Sequence, residues 1–162
     1  MNYHGSDTNL TEALTLEAIK SLEEPIRLKM PFYLNMAHYA VHVPIQPDVL
    51  FYQSYLEEGL DTANAKYASM VASMDKSLGD IMKFLSAKDI AKNTIIIFMT
   101  DNGPQQVRYV SGMRGRKSSV YRGGIRVPFF MRYPAKFKDN QVIDNMVAHI
   151  DLLPTLSELC AA

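Results

Sequence analysis

"TIIIFMTDNGPQ", residues Thr94 to Gln105, runs an apolar, β-branched stretch directly into an acid, an amide and a glycine. A run of this composition suits a strand in the centre of a parallel sheet, covered on both faces. In open parallel sheets ligands bind beyond the carboxyl ends of the strands, and Asp101 and Asn102 fall at such an end. A carboxylate and an amide carbonyl are hard oxygen donors, suited to Ca²⁺ or Mg²⁺ rather than to Zn²⁺, which favours His or Cys. Gly103 then lets the backbone turn away without a side chain crowding an ion. The same tripeptide closes many ordinary Asx turns, so the pair alone leaves a metal site and a plain turn both open.

The surroundings predict an α/β domain. Ala63 to Lys88 carries Tyr67, Met70, Val71, Met74, Leu78, Ile81, Met82 and Leu85 on one helical stripe, with Asp61 or Thr62 placed to cap its start. The methionines of that stripe read as core packing. Upstream, Pro31 to Ala37 (PFYLNMA) reads as a short strand, so that strand, long helix and strand make a right-handed βαβ unit. Before it, Thr8 to Glu24 reads as a helix capped by Thr8 or Thr11 and ended by Pro25. Residues 38–60, with Pro44 and Pro47 and no steady period, read as a long loop. Downstream, VPFFMRYP reads as another strand, and HIDLLPTLSELC as a last helix beginning after Asp151.

A second feature stands beside the first. SGMRGRKSSVYRGGIRVP, Ser111 to Pro128, sets Arg114, Arg116, Lys117, Arg122 and Arg126 among four glycines. Such a loop can hold a multiply oxygenated anion, although a solvated basic surface has the same composition. His42, in HYAVHVP, follows the first expected strand and so belongs at the same sheet edge; His38 is placed equally well by spacing, while His4 and His149 have no motif around them.

Composition bounds the remainder. At 162 residues and 48% hydrophobic, the chain is long enough for one domain with a core. Seventeen basic and seventeen acidic residues give no net field to attract nucleic acid or acidic lipid. No apolar stretch reaches the roughly 18 residues of a membrane span, and the first residues lack the layout of a signal peptide. The lone Cys160 has no partner for an internal disulfide, leaves the redox compartment open, and reads as a packing residue.

Taken in order, LTEALTLEAIKSL, PFYLNMAHYAVHVPIQ, YASMVASMDKSLGDIMKFL, NTIIIFMTDNG, MRGRKSSVYRGGIRVPFFMRYP and HIDLLPTLSEL resemble the sulfatase family within the alkaline-phosphatase superfamily. The resemblance runs along nearly the whole chain and implies an alkaline-phosphatase-like α/β sandwich, a mostly parallel sheet flanked by helices. It implies hydrolysis of sulfate esters with a formylglycine nucleophile and one Ca²⁺ or Mg²⁺. On this likeness Asp101 and Asn102 are two of four protein ligands of the metal, Lys117 and His42 contact the reacting sulfate, and Arg114 shapes the loop or touches substrate. These roles are chemically consistent, because charge builds on the departing oxygen and a metal with cationic donors stabilises it. The expected partner is a small-molecule or carbohydrate sulfate ester, with neither nucleic acid nor membrane, and the setting is periplasmic, extracellular or lysosomal.

The likeness is incomplete in ways that bear on activity. The family's Cys/Ser-x-Pro/Ala-x-Arg nucleophile motif and its two further Asp ligands do not occur, so residues 1–162 resemble the later part of one catalytic domain, without the nucleophile-bearing first part or the smaller C-terminal domain. That missing part is itself an expected partner, and the isolated chain is expected to be inactive. Arg122 stands where the family usually has Glu, and Ser118 where it usually has Gly. Two alternatives remain: a non-catalytic remnant or binding module, and a phosphate or phosphonate ester hydrolase of the same superfamily.

Overall fold

The computed structural model describes residue 3 and residues 5–160. The chain divides into two compact units, Met1–Thr94 and Ile95–Ala162.

The first unit is helical. Helix α1 spans Leu10–Arg27, capped by Asn9, whose side-chain oxygen accepts from the Glu12 amide at 2.8 Å. The cap is therefore Asn9 rather than the expected threonines, and the helix continues through Pro25 to Arg27. So late in a helix, proline removes one hydrogen bond and leaves only the last turn to follow it. Helix α2, Val49–Glu57, lies inside the segment expected to be a loop. Asp48 nucleates it by accepting from the Leu50 amide at 2.9 Å, while Gly59, at φ 88°, follows its end. Helix α3, Thr62–Ala87, starts at the expected Asp61 cap and packs against both α1 and α2.

Small side chains set that packing. On α3 the buried face carries Ala65, Ala68, Ser69, Ser73 and Ser77 with Tyr67, Met70 and Leu85, and α1 presents Ala13, Thr15, Ala18 and Leu22. Of the expected stripe, Tyr67, Met70 and Leu85 are buried and Val71 is exposed. Buried hydroxyls need partners, and three find them between helical segments: Thr15 Oγ1 lies 2.6 Å from Ser77 Oγ, and the Asp48 amide donates to Ser69 Oγ at 3.1 Å. The buried Asp48 carboxylate also accepts from Asn9 Nδ2, so the caps of α1 and α2 are tied together. Pro31 to Ala37 is not the expected strand; no other strand lies in this unit among the described residues, and an extended segment without a hydrogen-bonded neighbour forms no sheet.

In the second unit β1, Ile96–Met99, pairs antiparallel with β2, Phe129–Arg132, in the register Ile96 to Arg132 and Met99 to Phe129. The expected strand at VPFFMRYP is present, but this two-stranded antiparallel ladder replaces the expected mostly parallel sheet among the described residues. The rings of Phe98 and Phe130 meet with centroids 6.3 Å apart. Between the strands runs the glycine- and arginine-rich loop, which contains the single turn α4, Arg122–Ile125. A 3₁₀ turn at His149–Asp151 leads into α5, Leu152–Cys160, as the DLLPT reading expected. Cys160 is exposed and free, and so is not the packing residue expected. Phe130 is 66% exposed, Met146 98% and Ile150 84%, an apolar surface that two strands and one short helix cannot cover. No helix among the described residues is long and apolar enough to cross a membrane.

Candidate active site

The turn after β1 is built by backbone contacts that only glycine permits. The Gly103 amide donates to the Gly124 carbonyl at 2.8 Å, and a β-carbon placed on Gly103 would lie 2.0 Å from the Gly123 oxygen. Likewise a β-carbon on Gly123 would lie 2.2 Å from the Gly115 oxygen, and one on Gly124 2.2 Å from the Ser119 oxygen. Three backbone segments, at 103, 115–119 and 123–124, therefore stack directly on one another. That close approach by itself requires glycine at 103.

This stacking joins the two features that the sequence singled out. The Lys117 amide donates to the Pro104 carbonyl at 2.9 Å, and the Gly123 amide to the Arg114 carbonyl at 2.8 Å. Ser119 Oγ closes the turn between them by donating to the Arg116 carbonyl at 2.7 Å and accepting from the Arg116 amide at 3.1 Å. Residue 118 then takes φ 70°, which favours glycine, at the position where the resemblance led one to expect Gly and the chain has Ser118. Asp101 and Asn102 turn toward each other, with Asn102 Nδ2 donating to Asp101 Oδ2. Their free oxygens form a hard donor pair that fits part of a Ca²⁺ or Mg²⁺ shell. Among the described residues no cluster of three or more His, Cys, Asp and Glu could complete one.

No Asp or Glu occurs between Asp101 and Asp139, and among the described residues no ion pair involves Arg114, Arg116, Lys117, Arg122 or Arg126. Arg114 is held otherwise: its guanidinium carbon lies 3.8 Å from the centroid of the Tyr121 ring, and Nη2 donates to the Tyr121 hydroxyl at 2.7 Å. A guanidinium stacked in this way is preorganised for a planar or oxygen-rich anion. Arg122 is exposed at the start of α4.

The histidines separate. His42 belongs to the first unit, where it is exposed, donates from Nδ1 to the Val43 carbonyl at 3.1 Å and sets its ring edgewise to Tyr39. His38 is half-buried in the same unit, 3.4 Å from Ser77 Oγ through Nε2, and burial holds its pKa below the ordinary histidine value. The Thr15 hydroxyl donates to the Thr11 carbonyl at 2.7 Å, so Ser77 donates to Thr15 and accepts from His38 Nε2. That order leaves Nδ1 as the unprotonated nitrogen. His149, passed over in the sequence, reaches the site turn: its Nε2 lies 3.0 Å from the Thr100 carbonyl oxygen and donates to it. The signal was its place two residues before Asp151, at the start of the DLLPT helix.

Comparison with known proteins gives this arrangement its family. The profile described as "Sulfatase" matches residues 2–162. A sulfatase of Formosa agariphila is 32% identical over 171 residues, covering 98% of this chain and 31% of that protein. An N-acetylgalactosamine-6-O-sulfatase of Bacteroides thetaiotaomicron is 34% identical over 143 residues, covering 80% of this chain and 26% of its own length. The solved structure of Ps i-CgsB in complex with k-i-k-neocarrahexaose superposes with a TM-score of 0.88 at 28% identity, over 96% of this chain and 35% of that one. The chain thus spans about a third or less of the length of these relatives. With a matching profile over nearly all of its residues and the same backbone, the chain belongs to the sulfatase family.

Proposed function

We propose that these residues form the later part of a sulfatase catalytic domain of alkaline-phosphatase-like architecture, contributing half of a metal shell and the cationic side of a sulfate pocket. The observation that carries the reading is the stacking of the Asp101–Asn102 turn on the arginine-rich loop, through Gly103 to Gly124 and Lys117 to Pro104. Asp101 and Asn102 would hold Ca²⁺ or Mg²⁺ with two further carboxylates from outside residues 1–162. When bound, such a cation polarises a sulfate oxygen. Lys117 would neutralise charge on the departing oxygen and Arg114, stacked on Tyr121, would orient the sulfate; a sulfate contact for His42 is proposed from the family resemblance alone. The nucleophile, a formylglycine by resemblance, is supplied by the missing part of the domain, which would also cover the apolar surface around Phe130, Met146 and Ile150. The substrate class that suits the unpaired cations is a sulfated carbohydrate, in line with the sugar complex of Ps i-CgsB.

A chimera tests this reading. Residues 2–162 replace the matching segment of the Bacteroides thetaiotaomicron enzyme, and sulfate release from N-acetylgalactosamine 6-sulfate is measured. The expected result is turnover that both Asp101→Ala and Lys117→Ala abolish. A folded chimera that is inactive, or active and indifferent to both substitutions, overturns the proposal.

A further inference from the structure

We infer that His149 is a positioning residue that sets the direction of the Asp101 side chain, an assignment that rests on the reading of Asp101 and Asn102 as metal ligands. The Thr100 carbonyl and the Asp101 amide belong to one planar peptide unit, so a hydrogen bond to Thr100 oxygen fixes the plane from which Asp101 departs. His149 Nε2 makes that bond at 3.0 Å. On the far side of the pair, the Thr100 hydroxyl donates to the Asn102 carbonyl at 3.2 Å and the Gly103 amide donates to Gly124 at 2.8 Å, which fixes the next peptide plane but one. Both ends of the two-residue turn are thus clamped, and the upstream clamp comes from a distant part of the chain.

The imidazole is itself well held. The Ala148 amide donates to Asp151 Oδ2 at 2.7 Å and the Asp151 amide to the Ala148 carbonyl at 3.0 Å, closing the 148–151 turn from both sides. Thr155 Oγ1 donates to the Asp151 carbonyl at 2.7 Å, anchoring the same turn to α5. His149 is exposed, so its ring adds little to the core, and the bond to Thr100 is its one specific contact among the described residues. This gives the turn before α5 a task at the site: it carries the ring that orders the strand end. A ligand carboxylate held in advance loses less freedom when a cation arrives, which is how a hydrogen-bonded outer group strengthens a ligand set.

The test is nuclear magnetic resonance on the full 162-residue chain, with and without CaCl₂. In the unsubstituted chain the Nε2 proton of His149 should show a through-bond coupling to the Thr100 carbonyl carbon. In His149→Ala, exchange of the Gly103 amide with solvent should rise about five-fold, the effect of losing one net hydrogen bond. His149→Gln, which offers an amide nitrogen at the same reach, should restore it. The calcium concentration that half-shifts the Asp101 and Asn102 signals should rise by a similar factor in His149→Ala and return in His149→Gln. An absent coupling, or Gly103 exchange unchanged in His149→Ala, overturns the inference without reference to calcium. Asp101 and Asn102 signals that ignore calcium in the unsubstituted chain count against the metal reading, while the coupling and exchange results still decide the role of His149.

Discussion

Gly103 and Gly124 meet through a 2.8 Å backbone hydrogen bond so close that a β-carbon on Gly103 would sit 2.0 Å from the neighbouring Gly123 oxygen. The clash is with main chain, which cannot rotate away as a flexible side chain can. Gly103→Ala should therefore destabilise the second unit by about 1–3 kcal/mol, the usual cost of forcing an extra carbon into a packed site. Urea unfolding followed at the Phe98 and Phe130 signals checks it, and an unchanged midpoint would contradict the stacking.

Ser118 occupies φ 70°, and no hydrogen bond of its side chain is among the described contacts. An L-residue in that region costs about 1–2 kcal/mol, part of which glycine returns through its freer unfolded chain. Ser118→Gly should raise stability by about 0.5–1 kcal/mol in the same urea assay. A loss of stability would show that the hydroxyl makes a contact worth more than the strain.

Protonation of His38 is coupled to folding. Burial lowers its pKa in the folded chain, whereas the unfolded chain titrates near the ordinary value of 6.5. The unfolded state therefore takes up the proton first, and stability is whole above pH 6.5 and lost as the pH falls from there toward the lowered folded value. His38→Gln keeps a donor toward Ser77 and cannot titrate. Between pH 7.5 and pH 5.5 the unsubstituted chain should lose more stability than His38→Gln, and equal losses would place the coupling elsewhere.

Asp101→Ala removes the charged half of the donor pair. Calcium-dependent shifts at Asn102 should vanish in that variant, whereas Arg122→Ala, outside the pair, should leave them in place. The unsubstituted chain should bind calcium weakly, because two protein oxygens fall far short of the six to eight ligands that Ca²⁺ prefers. Submicromolar binding would mean that other ligands are recruited.

The isolated chain should release no sulfate from an aryl sulfate at any calcium concentration, since the nucleophile motif expected from the family resemblance does not occur in residues 1–162. Turnover that disappears in Lys117→Ala would overturn this expectation.

Local chemistry was legible from the residues alone wherever a short stretch decided its own state. The long helix with its Asp61 cap, the strand at Phe129–Arg132 and the last helix after Asp151 were all readable, because period, cap and proline position act within a few residues. The DNG turn and the basic loop were visible as candidates for the same reason. Helix α2 escaped notice because its nine residues lack an amphipathic period, and its one clear sign was Asp48 before it. The strand expected at Pro31 to Ala37 failed because a strand exists only through its neighbours, which no local pattern can supply.

What tertiary structure alone decided is which distant groups meet. The chain by itself could not show that Gly103 is glycine for the sake of Gly123 and Gly124, that Lys117 is carried by Pro104, or that His149 reaches Thr100. Helix period and turn chemistry are properties of neighbouring residues and are written along the sequence. Contacts between segments depend on how each backbone is laid against another at ångström range, and that information appears only when the chain has folded.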